Sequence, residues 1–376
     1  MVATIPPEPA MDPEQPVPRA PAPAPRSVRR VPALDGLRGL AILMVVRYHA
    51  YARWSGMEPF AQPRWLAPLG LGWMGVQLFF AISGYVIAMS LGRGGGVAGF
   101  ARRRWLRLFP AMALASLAIY ATAPLLPARP AGMPRPLDLL PGLTLLSPEI
   151  LSRFLPAAPR SLDGAFWSIY VEVGFYAVAA LAYPGLGDRR LRLVAVLYIG
   201  FLALALAARA TPLVEPPLAL LRNFGVQHYG WFLLGIGAWE TARTGCRGPL
   251  RAGLAFAALA ALDMAGRGDA AAVLVTAAAL AALFLAAVRG TRALEHRALL
   301  WLGWIAYPLY LVHQNITTGL AIALARAFPG LPPPLYPVPG LALSLALAVA
   351  IAGAESRLRR VLSHVLPALK PPRPAR

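Results

Sequence analysis

Two residue types are nearly missing from this chain. Cys246 is the sole cysteine among 376 residues, which excludes an intrachain disulfide and a multi-cysteine metal site. Lysine occurs once, at Lys370, so the rest of the 36 basic residues are arginine. Charge as a whole is scarce, at 14% of residues, where soluble proteins carry about 25%. The five histidines (His49, His228, His296, His313, His364) are scattered with no metal-binding pair spacing, and no metal site is expected. What fills the chain instead is apolar: 58% of residues, with a mean hydropathy of +0.57. A soluble fold must keep a large polar exterior and has no place for so much apolar surface. The composition implies an all-α polytopic membrane protein.

The net charge of +20 would ordinarily point to nucleic acid. Here the arginines punctuate the gaps between apolar runs and form no basic domain, so no nucleic-acid partner is expected and membrane lipid is. Residues 1–33 hold ten prolines and no apolar signal segment, and read as a disordered, extended cytoplasmic tail. About ten transmembrane helices follow, over 34–50, 71–91, 111–126, 166–184, 193–208, 226–240, 249–265, 270–288, 298–324 and 337–355. The stretch 127–165 is long, proline-rich and partly apolar, as a re-entrant or interfacial segment would be. With both termini cytoplasmic, the inner segments carry 24 basic residues and the outer ones 10, which agrees with the positive-inside rule. The organisation expected is therefore a tail over 1–33, a membrane domain over 34–356 and a basic cytoplasmic tail over 357–376.

An ionisable side chain in hydrocarbon costs about 2.5–3.5 kcal/mol on insertion scales, so those that persist there are functional candidates. In the first span Arg38 and His49 stand eleven residues apart, close to three helical turns, and share a face about 16 Å apart in depth. In the fourth, Ser168, Glu172 and Tyr176 follow at four-residue spacing behind Trp167. Glu172 lies at a depth similar to His49: it either orients that imidazole or neutralises Arg47. In the ninth, Tyr310, His313 and Gln314 cluster on one face next to Tyr307 and the helix-kinking Pro308, and serve either substrate binding or helix association. In the loop 92–110, Arg103, Arg104 and Arg107 are adjacent on a helical turn; they either grip phosphates or anchor the inner face. The glycines 94–96 lack the Lys-Ser/Thr of a phosphate-binding loop.

Taken together these pieces resemble the membrane acyltransferase-3 family. The resemblance rests on Arg-x10-His in the first span, Phe-Phe-Ala-Ile-Ser-Gly-Tyr at 79–85 and Arg-Arg-x-x-Arg-x-x-Pro at 103–110. Trp-Ser-x-x-x-Glu-x-x-Phe-Tyr at 167–176 and Tyr-x-Leu-Tyr-Leu-x-His at 307–313 complete it, in the family's order. It implies a multi-pass enzyme of the bacterial inner membrane that moves an acyl group, often acetyl, from cytoplasmic acyl-CoA to a hydroxyl of a sugar or cell-surface glycan. Acyl-CoA is then the donor substrate, and no permanently bound cofactor is implied. By position, His49, Glu172 and Arg38 take the catalytic roles, with His49 as general base oriented by Glu172. Arg103, Arg104 and Arg107 hold the CoA phosphates, and Trp167, Ser168, Tyr307, Tyr310 and His313 are the candidate substrate-binding residues. The last span ends Glu355-Ser356-Arg357 where family members often have Glu-x-Pro, which leaves Glu355 without an assigned role. The competing reading is a transporter or flippase for a lipid-linked sugar or acidic solute, which ten spans and buried charge fit equally well.

Overall fold

The computed structural model describes residues 31–54, 70–91, 96–181, 190–266 and 269–365. These residues are overwhelmingly helical, and among them no strand occurs. In chain order the helices are α1 (Pro32–Tyr51), α2 (Gly75–Leu91), α3 (Gly96–Thr122), α4 (Leu140–Thr144), α5 (Pro148–Leu151), α6 (Trp167–Leu181) and α7 (Arg190–Ala207). There follow α8 (Glu215–Asn223), α9 (Tyr229–Thr244), α10 (Gly248–Ala265), α11 (Ala270–Val288), α12 (Arg297–Ala327) and α13 (Pro337–Val365). Each of the ten apolar stretches overlaps one of them over its described residues. Among the described residues, five segments are long and apolar enough to cross a membrane: Gly70–Leu91, Gly96–Leu125, Gly248–Ala265, Ala270–Val288 and Pro333–Val365.

Several boundaries differ from expectation. Helix α3 starts at Gly96, well ahead of residue 111, because the arginine-rich stretch has no breaker before Pro110 and Pro110 itself is accommodated inside the helix. The supposed loop is therefore mostly helix; residues 92–95 lie outside the described residues. Helix α13 likewise runs past Glu355 to Val365, so Arg357, Arg359 and Arg360 ride on the helix. Most of the N-terminal segment 1–33 and residues 366–376 are also outside the description. The stretch 127–165 folds into 3-10 turns and the short helices α4 and α5. It is held by Asp138, which accepts from the Arg135 guanidinium at 2.9 Å and the Arg160 backbone N–H at 2.8 Å. Burial opposes ionisation of Asp138, but the hydrogen bonds from Arg135 and Arg160 outweigh it and hold the carboxyl down at about 2.

Helices α1 and α12 pack closely and run parallel: Gly39 meets the Leu299 carbonyl near one end, and His49 meets His313 near the other. A methyl group at Gly39 would overlap the Leu299 carbonyl, and one at Gly303 the Asp35 carbonyl, so both backbones need bare α-carbons to approach this closely. Helices α2, α6 and α9 join through stacked rings, with Phe232 4.1 Å from Phe175 and 4.8 Å from Phe80 between ring centroids. Hydrocarbon offers no hydrophobic drive between helices, so this contact quality decides their association.

Candidate active site

Between α1, α2, α3, α6, α12 and α13 lies a partly open cavity. Its wall carries Arg38, Arg104 and Arg107 against Glu172 and Glu355, together with Ser83, Ser168, Tyr176, Tyr307 and Tyr310. The three positions at four-residue spacing on α6, Ser168, Glu172 and Tyr176, all reach it, as their common face requires.

The charges here are unevenly compensated. Arg38 donates to Asp35 at 2.5 Å, one turn back on α1. Glu172 accepts from the Ser83 hydroxyl at 2.9 Å and from the Tyr176 hydroxyl. Glu355 pairs with Arg359 one turn along α13. Arg104 and Arg107 have no carboxylate partner among the described residues. They lie over aromatic faces, with the Arg104 guanidinium carbon 5.6 Å from the Tyr176 centroid and that of Arg107 5.5 Å from the Tyr307 centroid. Ring quadrupoles stabilise a desolvated guanidinium without neutralising it, so the cavity keeps a positive potential. The Tyr307 hydroxyl donates to the Leu108 carbonyl at 3.0 Å and ties α12 to the arginine-bearing helix.

Not every predicted residue is where the sequence placed it. Arg103 is off the cavity wall and reaches the Ser90 carbonyl at 3.5 Å, because it lies on a different face of α3 from Arg104 and Arg107. His49 does not line the cavity, whose wall at that end includes Phe79 and Tyr310. Nor does Glu172 orient it. Similar depth on two helices fixes no contact, and Glu172 points to Ser83 of α2. The imidazole that meets His49 is His313: His313 Nε2 is 3.1 Å from His49 Nδ1. Arg47 is exposed, so the proposed Glu172–Arg47 neutralisation is absent as well. Trp167, on the side of α6 away from Ser168, lines a separate cleft of about 720 Å³ with Tyr170, Arg222, Asn223 and Gln227.

Two of the wall residues that carry a charge or a hydroxyl had no role assigned from the sequence. Glu355 reaches the cavity although its Glu-x-Pro context is missing. Ser83 sits in the 79–85 motif, where an isolated hydroxyl in an apolar run is the only visible signal.

A family model described as an acyltransferase domain matches residues 31–353. The chain belongs to the acyltransferase-3 family. Among its relatives is protein 2 in the picA locus of Rhizobium radiobacter, 32% identical over 39% of this chain and 79% of that protein. A Staphylococcus aureus (strain COL) protein named as an O-acetyltransferase is 34% identical over 27% of this chain, but over only 15% of its own length. The acyltransferase MdmB of Streptomyces mycarofaciens is 29% identical over 42% of this chain and 41% of its own. No solved structure matches. The enzyme is thus a helical acyltransferase with membrane-crossing segments, built around an arginine-lined cavity.

Proposed function

We propose that this acyltransferase takes an acyl group, acetyl in the first instance, from acyl-CoA held at the arginine end of the cavity and transfers it to a hydroxyl of a sugar or cell-surface glycan. The observation that carries the reading is the pair Arg104 and Arg107, without a carboxylate partner among the described residues and lining one partly open cavity. A polyanionic donor is the ligand such a site favours, because phosphate oxygens accept charge-assisted hydrogen bonds from planar guanidinium groups. Arg38, one helix away on the same wall, is placed to polarise a thioester carbonyl. Tyr307, Tyr310 and Ser168 line the course from the arginines toward the His49 end.

The donor end is the cytoplasmic one in this reading. Ten helices cross the bacterial inner membrane with both termini inside, the tails flank a membrane domain over 34–356, and membrane lipid is the surrounding partner. Acetyl is supported by the name of the Staphylococcus relative, and a hydroxyl-rich acceptor by the polar, aromatic cleft beside Trp167. The chemistry requires acyl-CoA as a substrate and no resident cofactor.

The test is incubation of the purified protein in detergent with radiolabelled acetyl-CoA and a panel of sugar acceptors. Thioester turnover with label passing to a sugar is expected. Absence of both, from protein that binds no acetyl-CoA, overturns the reading in favour of a transporter, which has no need of a CoA site.

A further inference from the structure

His49 and His313 form a hydrogen-bonded pair whose proton positions follow from their partners. His313 Nδ1 is 2.8 Å from the Tyr310 carbonyl, and His49 Nδ1 is 2.9 Å from the Val45 carbonyl. A carbonyl only accepts, so both Nδ1 atoms carry hydrogen. With its Nδ1 protonated, neutral His313 presents a lone pair at Nε2, and this is the atom 3.1 Å from His49 Nδ1. The N–H of His49 is thereby shared between Val45 and His313. A protonated His313 Nε2 would instead set two donors against each other. The one consistent arrangement leaves His49 Nε2 bare, on a ring that is only partly buried, while His313 is 1% exposed and fixed among packed side chains.

From this geometry we infer that His313 is a positioning residue that locks His49 in the tautomer with a free Nε2, so that Nε2 and not Nδ1 is the catalytic base. The inference rests on the acyl-transfer reading for what that base does. In the step, His49 Nε2 takes the proton of the acceptor hydroxyl as the oxygen forms its bond to the acyl carbon. The C–S bond then breaks, its electron pair leaves on the CoA sulfur, and the proton on Nε2 passes to that sulfur. While His49 is cationic its Nδ1–H bond to His313 strengthens, and the His313 Nδ1–H drains into the Tyr310 carbonyl, so the transient charge is spread along the pair. The other groups facing His49 are Tyr48 on its own helix, with ring centroids 5.0 Å apart, and Arg53 just beyond the helix end. Neither forms a hydrogen bond to the imidazole.

The experiment uses full-length protein in detergent with 15N-labelled histidine. At pH 8 the wild-type spectrum is expected to show His49, assigned by its loss in His49→Gln, with hydrogen on Nδ1 and none on Nε2. Hydrogen on Nε2 overturns the inference, and this measurement needs no variant of His313. His313→Phe, which keeps the shape and removes the acceptor, should mix the two tautomers, lower kcat for acetyl-CoA turnover about tenfold to a hundredfold and shift the midpoint of its pH profile. KM for acetyl-CoA should stay the same. His313→Gln, whose Oε1 stands near the Nε2 position and accepts, should restore most of the rate. Equal rates and pH midpoints in the Phe and Gln variants would mean that His313 only fills space. If the wild-type protein turns over no acetyl-CoA, the acyl-transfer reading falls, while the tautomer spectrum still decides this one.

Discussion

Glu172 accepts the Ser83 hydroxyl at 2.9 Å and lies on the same cavity wall as Arg38, Arg104 and Arg107. Its carboxylate joins Glu355 as a counter-charge to the three arginines and accepts from two hydroxyls, and these roles set the first expectation. Glu172→Gln loses the charge but keeps an oxygen to accept from Ser83 or Tyr176, and should lower the thermal midpoint less than the leucine variant does. Glu172→Leu strands two hydroxyls and leaves the arginines less compensated. Its cost is about 2–4 kcal/mol, on the scale of unsatisfied buried polar groups and broken buried charge pairs. Thermal unfolding of the two variants in one detergent checks it; equal losses would show that Glu172 only fills space.

Arginine position on α3 separates donor binding from anchoring. Hydrogen bonds to charged groups contribute about 1.5–3 kcal/mol, so Arg104→Gln and Arg107→Gln should each raise the dissociation constant for acetyl-CoA about tenfold to a hundredfold. Arg103→Gln, away from the cavity, should leave it within about threefold. Calorimetric titration at two salt concentrations measures this, and the wild-type advantage should shrink at high salt.

Close approach of α1 and α12 depends on bare α-carbons. Gly303→Leu places a side chain into the Asp35 carbonyl and should cost about 1–3 kcal/mol or more, seen as a lower unfolding midpoint and a smaller monodisperse fraction. Gly200→Ala on α7, with nothing within 4 Å of the added carbon, should match the parent or exceed it slightly. A normal Gly303→Leu protein would show that the two helices are not pressed together there.

A pH signature comes from the segment after α5, outside the membrane-crossing helices. Burial pushes the Asp163 carboxyl up to about 6, while the N–H groups of Ala165 and Asn315 and the charge of Arg129 work to hold it down. A raised carboxyl stabilises the fold when neutral. Its contribution is complete below about pH 4 and is lost as pH rises through about 6, by at most about 3 kcal/mol for two units. Relative to Asp163→Asn, the wild-type unfolding midpoint should therefore fall between pH 4 and 6 and level off above. A difference that is flat, or that grows with pH, contradicts the burial of this group as a reluctant anion.

Much of the site could be read along single helices. The common face of Ser168, Glu172 and Tyr176 needs only the 3.6-residue period and recurs in the cavity wall, as do two of the three arginines expected together on α3, Arg104 and Arg107, but not Arg103. The eleven-residue spacing puts Arg38 and His49 on one face of α1, but only Arg38 reaches the cavity, while His49 meets His313 of α12. Contacts between helices were not legible in this way. Depth along a span brought Glu172 and His49 to one level, yet the azimuth of α6 aims the carboxylate at α2, and α12 supplies the imidazole's partner.

The amino-acid sequence alone pointed to a helical, membrane-crossing chain, because long continuous apolar runs satisfy their backbone in hydrocarbon as helices, whereas barrel strands would alternate apolar and polar residues. It also determined the face each polar residue takes on its own helix, since helical geometry is local. Which faces meet was decided only in three dimensions. The Gly39 and Gly303 contacts set how α1 and α12 register, and that register makes a pair of His49 and His313, a wall residue of Glu355, and an outsider of Arg103.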